Sequence, residues 1–200
     1  MTAVILALVA YLIGSISFAV VVSRALSLPD PRSYGSRNPG ATNVLRTGKK
    51  PAAALTLLGD SAKGWVAVVI AGHFAEPDAV ATTMAIAAFA VVVGHVFPVF
   101  FGFRGGKGVS TALGVLVGLN VYLALGTAAT WIIIAMFFRI SSLAALVAAV
   151  FAPFFAVLLY NATHPFVLGI GGISALLVWR HKANIANLIS GTESRLGRGR

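Results

Sequence analysis

The chain has 200 residues, 58% of them hydrophobic and only 10% charged, with a mean hydropathy of +0.94. That balance excludes a soluble domain and points to a polytopic membrane protein. The net charge is +10 and there is no cysteine, so disulfides, thiolate metal sites and a cysteine nucleophile are ruled out, and the bases sit in short loops, where positive-inside orientation and anionic headgroups account for them without nucleic acid.

The first apolar run, residues 3–23, has no basic leader and reads as a retained span, not a cleaved signal. Gly14, Ser15 and Ser17 near its middle suit close helix packing. Residues 24–52 form a polar loop with six bases, Arg24, Arg32, Arg37, Arg46, Lys49 and Lys50. Pro29, Pro31 and Pro39 oppose a continuous helix there. The second span, 53–72, holds Asp60 and Lys63, three residues apart on one helix face. Charges in a span are costly, so these two either pair with each other or serve a site. His73 to Asp78 is a short loop without Lys or Arg. A third span covers 79–100 and leads into a glycine-rich loop. Residues 109–119 are apolar but too short to cross unaided. Asn120 interrupts, and 121–138 is a charge-free run ending at Arg139. Residues 140–160 form another span, broken by Pro153. After the uncharged loop Asn161 to Pro165 comes the last run, 166–179, and then a basic tail, 180–200.

Counting 109–119 as a crossing gives seven spans in one all-α bundle, a single domain over 1–200, with the N-terminus outside and the C-terminus cytoplasmic. Fourteen of the fifteen lysines and arginines then fall in inner segments, the remaining one being Lys63 within a span, and this asymmetry sets the orientation. A five-span alternative merges 109–119 with its neighbour and puts Arg139 outside. No internal repeat is visible, unlike many transporter folds.

Three polar clusters stand out, all on the proposed inner face. The central one is Gly94 to Thr111, GHVFPVFFGFRGGKGVST. Gly105, Gly106 and Gly108 let backbone N–H groups approach an anion, Arg104 and Lys107 add charge, and a helix beginning just after them aims its dipole at the same place. A tight cytoplasmic turn carrying a topology signal is the plainer reading of the same residues. A nucleotide P-loop fits the spacing poorly, because Gly102 is one residue too close to Gly106-Lys107 and Gly108 follows the lysine. The second cluster is GSRNPGATNVLR, residues 35–46, whose hydroxyls, carboxamides and arginines suit a phosphate and a polyol. The third is His181, Asn184 and Glu193. If 179–188 continues a helix, His181 and Asn184 share a face; an amphipathic tail lying on headgroups is the alternative.

Together these clusters, with GDSAKG inside the second span, RISSL after Arg139 and HKANI…GTE, make the chain resemble the bacterial acyl-phosphate:glycerol-3-phosphate acyltransferase family, the PlsY type, over essentially its whole length. The resemblance implies a multi-pass enzyme of the bacterial cytoplasmic membrane with its active site on the cytoplasmic face. It moves a fatty acyl group from acyl phosphate to the 1-hydroxyl of glycerol 3-phosphate, giving lysophosphatidic acid and inorganic phosphate, the first committed step of phospholipid synthesis. From the residues, no cofactor is assigned and no metal site is apparent, since His73, His95, His164 and His181 are scattered along the chain. Its partners are the two substrates, membrane lipids and, functionally, the enzyme that supplies acyl phosphate. The catalytic set implied is Lys107, His181, Asn184, Ser36 and Arg46, with Ser36 and Arg46 holding phosphate and Lys107 stabilising negative charge. Thr42, Asn43, Arg104, Gly105, Gly106, Gly108, Ser142 and Lys63 are expected to bind substrate, with Asn43 and Thr42 either ordering the first loop or meeting glycerol hydroxyls. Glu193 and Asp60 are expected to be structural, Glu193 by tethering the tail to a base. His181 is the conventional base for the attacking hydroxyl; the substrate's own phosphate is the alternative and is favoured, since no local carboxylate orients the histidine. Acyl phosphate is already activated, so positioning and charge stabilisation can carry most of the rate without a covalent nucleophile. Three positions depart from the family pattern: Arg37 where glycine is usual, Asn187 where arginine is common, and Ser17 in place of proline. A transporter of phosphorylated metabolites and a non-catalytic lipid-binding protein are the competing readings; both leave the clustering of polar motifs on one face, or the resemblance itself, unexplained.

Overall fold

In the computed structural model, which describes residues 1–196, the chain is entirely helical among the described residues. Ten α-helices follow one another: α1 (Thr2–Gly14), α2 (Phe18–Ala25), α3 (Ala41–Leu45), α4 (Lys50–Phe74), α5 (Val80–Val96), α6 (Val109–Leu119), α7 (Val121–Phe138), α8 (Ser141–Leu159), α9 (Pro165–Arg180) and α10 (Lys182–Ile189). Five segments among the described residues are long and apolar enough to cross a membrane: Thr2–Ala25, Lys50–Phe74, Pro77–Phe101, Val121–Phe138 and Ser141–Leu159. Helices α6 and α9 are apolar but shorter.

Three features differ from the sequence reading. The first apolar run is not one helix: it breaks at Ser15–Ser17 between α1 and α2. Helix α8 runs through Pro153 unbroken; the proline removes one N–H from the ladder, a loss that membrane helices tolerate. The helix expected over 179–188 ends at Arg180 and restarts at Lys182, with His181 as the joint. The expected break at Asn120 is present, in extended backbone between α6 and α7, and its side chain caps α7 by accepting from the Tyr122 N–H.

Helices α4 and α5 form the centre. The buried core is built from small residues, among them Ala67, Val68, Ala71, Ala87, Ala88, Val91, Val92 and Val115. In lipid, where apolar faces gain little by meeting each other, small residues allow close backbone approach and so hold helices together. Two glycine pairs set the tightest crossings. A Cβ on Gly14 would run into the Val91 carbonyl and one on Gly94 into the Tyr11 carbonyl, which fixes α1 against α5. Gly64 faces the Thr111 carbonyl and Gly114 the Ser61 carbonyl in the same way, fixing α4 against α6. Helix α7 lies outermost, with Met136 and Phe137 largely exposed.

Contacts between connecting segments sort the two ends of the bundle. At one end Arg46 reaches Ser194, Lys107 reaches Asn184, Arg180 reaches Gly105 and Gly106, and the Leu196 N–H donates to the Arg139 carbonyl. At the other, the Thr2 hydroxyl meets Glu76 and the Asn120 amide meets the Tyr160 hydroxyl. The base-bearing segments therefore gather at a single end.

Candidate active site

The first wall of the site is the loop before α4. Asn43, 2% exposed, is its organising residue. Its Oδ1 accepts from the Ser36 N–H at 3.1 Å, and its Nδ2 donates to the carbonyls of Pro31 at 2.7 Å and Tyr34 at 3.2 Å. All of these bonds close turns, so a single carboxamide holds residues 31–43 together. Gly35 and Arg37 both take the left-handed conformation, with φ of 57° and 55°. Arg37 thus adopts a backbone that a glycine would hold without strain. A Cβ on Gly35 would collide with the Asn43 and Arg46 side chains, so the glycine lets Arg46 lie across the loop. Ser36, Thr42 and Arg46 are exposed, and the Arg46 guanidinium donates to the Ser194 hydroxyl at 2.9 Å. Within the same loop Asp30 and Arg32 form a two-point ion pair, and the guanidinium holds the Asp30 carboxyl below its usual range.

The glycine-rich loop is the second wall. Its chain leaves α5 at Val96 and turns through Gly102 and Phe103, both left-handed, then reaches Gly108, also left-handed, which precedes the first turn of α6. The helix start expected after Lys107 is there. The N–H groups of the loop are not deployed as expected. Gly105 donates to the Val96 carbonyl at 3.2 Å and Gly106 to the His95 carbonyl at 3.1 Å. Those two donors fasten the loop to the end of α5 and are not free for an anion. The backbone donors that remain at the mouth are those of Lys107, Gly108 and the first turn of α6. From the opposite side Arg180 donates to the carbonyls of Gly105 (3.2 Å) and Gly106 (3.3 Å).

Lys107 is half-buried and projects from this loop to the third cluster, where its ammonium donates to the Asn184 Oδ1. Asn184 in turn donates through Nδ2 to Glu193 Oε1 at 2.7 Å, and the buried Ser142 hydroxyl donates to the same oxygen, also at 2.7 Å. Glu193 thus ties α10 to α8 through neutral partners; among the described residues it makes no ion pair, unlike the tether to a base expected from sequence. Burial pushes the Lys107 ammonium down from its ordinary value, with Arg180 and Arg46 adding to the effect and Glu193 opposing it.

His181 is 2% exposed. Its Nδ1 lies 2.7 Å from the Leu177 carbonyl. A carbonyl only accepts, so Nδ1 carries the proton and Nε2 is left as the acceptor nitrogen. Burial pushes its pKa down to about 4, so at neutral pH the ring is uncharged.

Two adjoining clefts open at this end. One, of about 480 Å³, is lined by Arg32, Arg37, Pro39, Phe103, Arg104, Gly105 and Arg180. The other, of about 490 Å³, is lined by Arg24, Arg32, Phe100, Phe101, Gly102 and Arg104. No carboxylate lines either, so both present a cationic surface suited to phosphate groups.

The structure therefore brings together Lys107, Asn184, Glu193 and Ser142, and lays Arg46 beside them through Ser194. Asp60 and Lys63 are elsewhere, buried beneath the loop. One residue left out of the expected site set enters it: Arg180, which holds the Gly105 and Gly106 carbonyls and lines a cleft with Arg37. His95, which the long glycine motif contained, joins Asp60 and Lys63 beneath the loop.

The sequence pattern that describes the family "Glycerol-3-phosphate acyltransferase" matches residues 4–191. The chain belongs to the glycerol-3-phosphate acyltransferase family. Relatives of that name include a protein from Burkholderia ambifaria, 62% identical over 192 residues, covering 96% of this chain and 89% of the relative. One from Paraburkholderia phymatum is 60% identical over 194 residues, covering 96% and 92%. Among solved structures, the chain superposes on crystal structures of PlsY, described as an integral membrane glycerol 3-phosphate acyltransferase. The match to its glycerol 3-phosphate form has a TM-score of 0.90 and 36% identity, covering 98% of this chain and 96% of that one. The match to its lysophosphatidic acid form has a TM-score of 0.87 at the same identity and coverage. This member of the acyltransferase family is accordingly a multi-pass integral membrane protein of the PlsY type.

Proposed function

We propose that this protein transfers a fatty acyl group from acyl phosphate to the 1-hydroxyl of sn-glycerol 3-phosphate. The products are 1-acyl-sn-glycerol 3-phosphate and inorganic phosphate. The observation that carries the reading is the Lys107–Asn184–Glu193 linkage set beside clefts lined by five arginines and no carboxylate, in a family whose solved members are described in glycerol 3-phosphate and lysophosphatidic acid forms. Both proposed substrates are phosphate anions, and the apolar flanks of the bundle suit an acyl tail.

In the proposed reaction the 1-hydroxyl oxygen attacks the acyl carbonyl carbon. The bond from that carbon to the phosphate oxygen breaks, and phosphate leaves with the electron pair. Lys107, with Arg104 and the N-terminal end of α6 after Gly108, stabilises the charge that builds on the donor, while Gly105 and Gly106, bonded back to α5, hold the loop that carries Lys107. Ser36 and Arg46 hold phosphate, with Thr42 near the acceptor and Asn43 keeping their loop in shape. His181 and Asn184 line the acceptor site, and Ser142 with Glu193 fixes Asn184. The hydroxyl proton goes to a substrate phosphate. A phosphate monoester has a pKa near 6, whereas His181 is held at about 4 and is the weaker base.

The reading includes a single domain over 1–200 with seven crossings, the N-terminus outside, and the site on the cytoplasmic face of the bacterial inner membrane. The gathering of Arg46, Lys107, Arg139 and Arg180 at one end of the bundle supports it, since α6 and α7 then form an out-and-back pair. A link to an enzyme that supplies acyl phosphate follows from the donor.

The test is to add palmitoyl phosphate and glycerol 3-phosphate to the protein in detergent and follow phosphate and lysophosphatidic acid together, with a palmitoyl-CoA reaction alongside. Equal formation of both products, absent with the CoA thioester, is the expected result. Phosphate without lysophosphatidic acid would mean hydrolysis and overturn the acceptor assignment.

A further inference from the structure

Beneath the glycine loop lies a buried polar cluster that the proposed chemistry does not use. Asp60, Lys63 and His95 are 1%, 4% and 5% exposed. The Lys63 Nζ is 2.8 Å from Asp60 Oδ1, 2.9 Å from His95 Nδ1 and 2.6 Å from the Ile16 carbonyl. An ammonium has three N–H donors and no acceptor. Here it hydrogen-bonds the Ile16 carbonyl and His95 and makes an ion pair with Asp60; at 4% exposure it is closed off from a substrate, which differs from the direct contact expected of Lys63. The fourth approach, His95 Nδ1 to Asp60 Oδ1, is 3.5 Å and too long to compete.

The contact with the ammonium fixes the imidazole. Its Nδ1 must accept from the ammonium, so its proton sits on Nε2. Nε2 is the ring atom turned toward the loop. A Cβ on Gly106 would collide with Nε2, so the ring lies directly against the glycine. The His95 carbonyl accepts the Gly106 N–H. One residue therefore touches Gly106 with both its backbone and its ring, while Lys63 and Asp60 hold the ring from behind. The Ile16 carbonyl is available because the first span breaks at Ser15–Ser17. The same break supplies Ser15 Oγ to the Val99 N–H, and the Tyr11 hydroxyl reaches the Phe97 carbonyl at 2.8 Å.

We propose that Asp60, Lys63 and His95 are positioning residues for acyl transfer, a buried relay from the break in the first span that sets the height of Gly106 and so places Lys107 against its phosphate. This rests on the acyl-transfer reading above. It requires that the relay control phosphate binding, not merely folding.

The experiment compares wild type, Lys63→Met, His95→Leu and His95→Gln in detergent, each corrected for folded protein by size-exclusion profile. In Lys63→Met and His95→Leu, KM for a phosphate substrate should rise about tenfold or more, with kcat per folded molecule within about threefold. Gln, which offers both an acceptor and an N–H at the end of its side chain, should recover much of the KM. A fall in activity that only tracks the folded fraction, with KM unchanged, would overturn the proposal. Should the variants not fold, nitrogen-15 histidine spectra of the unaltered protein serve instead. The His95 signal should show the Nε2–H form, as His164 also does by accepting from the Phe166 N–H at Nδ1, and should shift when glycerol 3-phosphate is added; an Nδ1–H or doubly protonated His95 would overturn the proposal. Inactive wild type would instead count against the acyl-transfer reading, and the spectra still judge the relay.

Discussion

The ammonium of Lys107 donates to the side-chain carbonyl of Asn184, 77 positions further along the chain. That bond joins the glycine loop to the segment after the last apolar helix, and Glu193 fixes it from behind. Replacing Lys107 by alanine removes the positive charge as well as the bond. We expect kcat/KM for acyl transfer to drop by a factor of about a hundred or more, the scale of a lost transition-state donor. Asn184→Ala leaves the charge in place and should cost about tenfold, the worth of a charge-assisted hydrogen bond. Steady-state assays at matched folded concentration distinguish the two; equal losses would show that Asn184 does more than hold Lys107.

His181 gives a pH prediction with a definite sign. Its pKa falls from 6.5 in the unfolded chain to about 4 in the folded one. Between these values the unfolded state binds more protons, so stability is full above about pH 6.5 and is lost as pH falls toward 4. The shift corresponds to about 3 kcal/mol at the acid end. His181→Gln should flatten the stability profile in that window, as read by thermal unfolding at stepped pH. In activity, the acid limb should stay near the phosphate pKa of about 6 in both proteins; an acid limb that vanishes with the histidine would make His181 the base.

Arg180 grips two successive loop carbonyls through its guanidinium. A lysine has the charge but not the fork. Arg180→Lys should therefore recover little of the loss in Arg180→Ala, with KM for a phosphate substrate raised about tenfold in both. Full activity in the lysine variant would show that charge alone matters there.

Arg37 occupies a left-handed backbone position where the family pattern has glycine. Arg37→Gly relieves steric cost of about 1–2 kcal/mol, partly offset by the greater freedom of glycine in the unfolded chain. We expect a net gain of about 0.5–1 kcal/mol, or a rise of a few degrees in melting temperature. Because Arg37 also lines the cleft that holds Arg180, any change in KM for a phosphate substrate in this variant measures its charge separately from its strain.

How much of this was legible depends on the distance over which a signal acts. The apolar runs marked most helices correctly, because length and composition act locally. The pairing of Asp60 with Lys63 was readable as one option from their three-residue spacing. Its third member was not: His95 is 32 residues from Lys63, and no spacing rule reaches across helices. Gly14, Ser15 and Ser17 were rightly taken as a packing element, since Gly14 does press on Val91. The break beside them escaped, because small residues allow a helix either to pack closely or to stop, and only the carbonyl needed by Lys63 decides between the two. Pro153 misled in the other direction, since a local breaker is overruled where neighbouring helices hold the backbone. The glycine loop was found by composition, but the direction of its N–H groups was not. Gly105 and Gly106 bond backward into α5, a matter of chain path that residue identity does not encode.

The placing of Asp60 and Lys63 on one helix also bears on how the chain enters the bilayer. Their charges neutralise each other as soon as α4 winds, with no other segment present, so the costliest part of this span is settled while it is still being handed from the insertion machinery to lipid. Ile16 is made earlier and His95 later. The ammonium can therefore collect its partners in the order of synthesis, one from the span already inserted, one within its own helix, and the last only when α5 arrives.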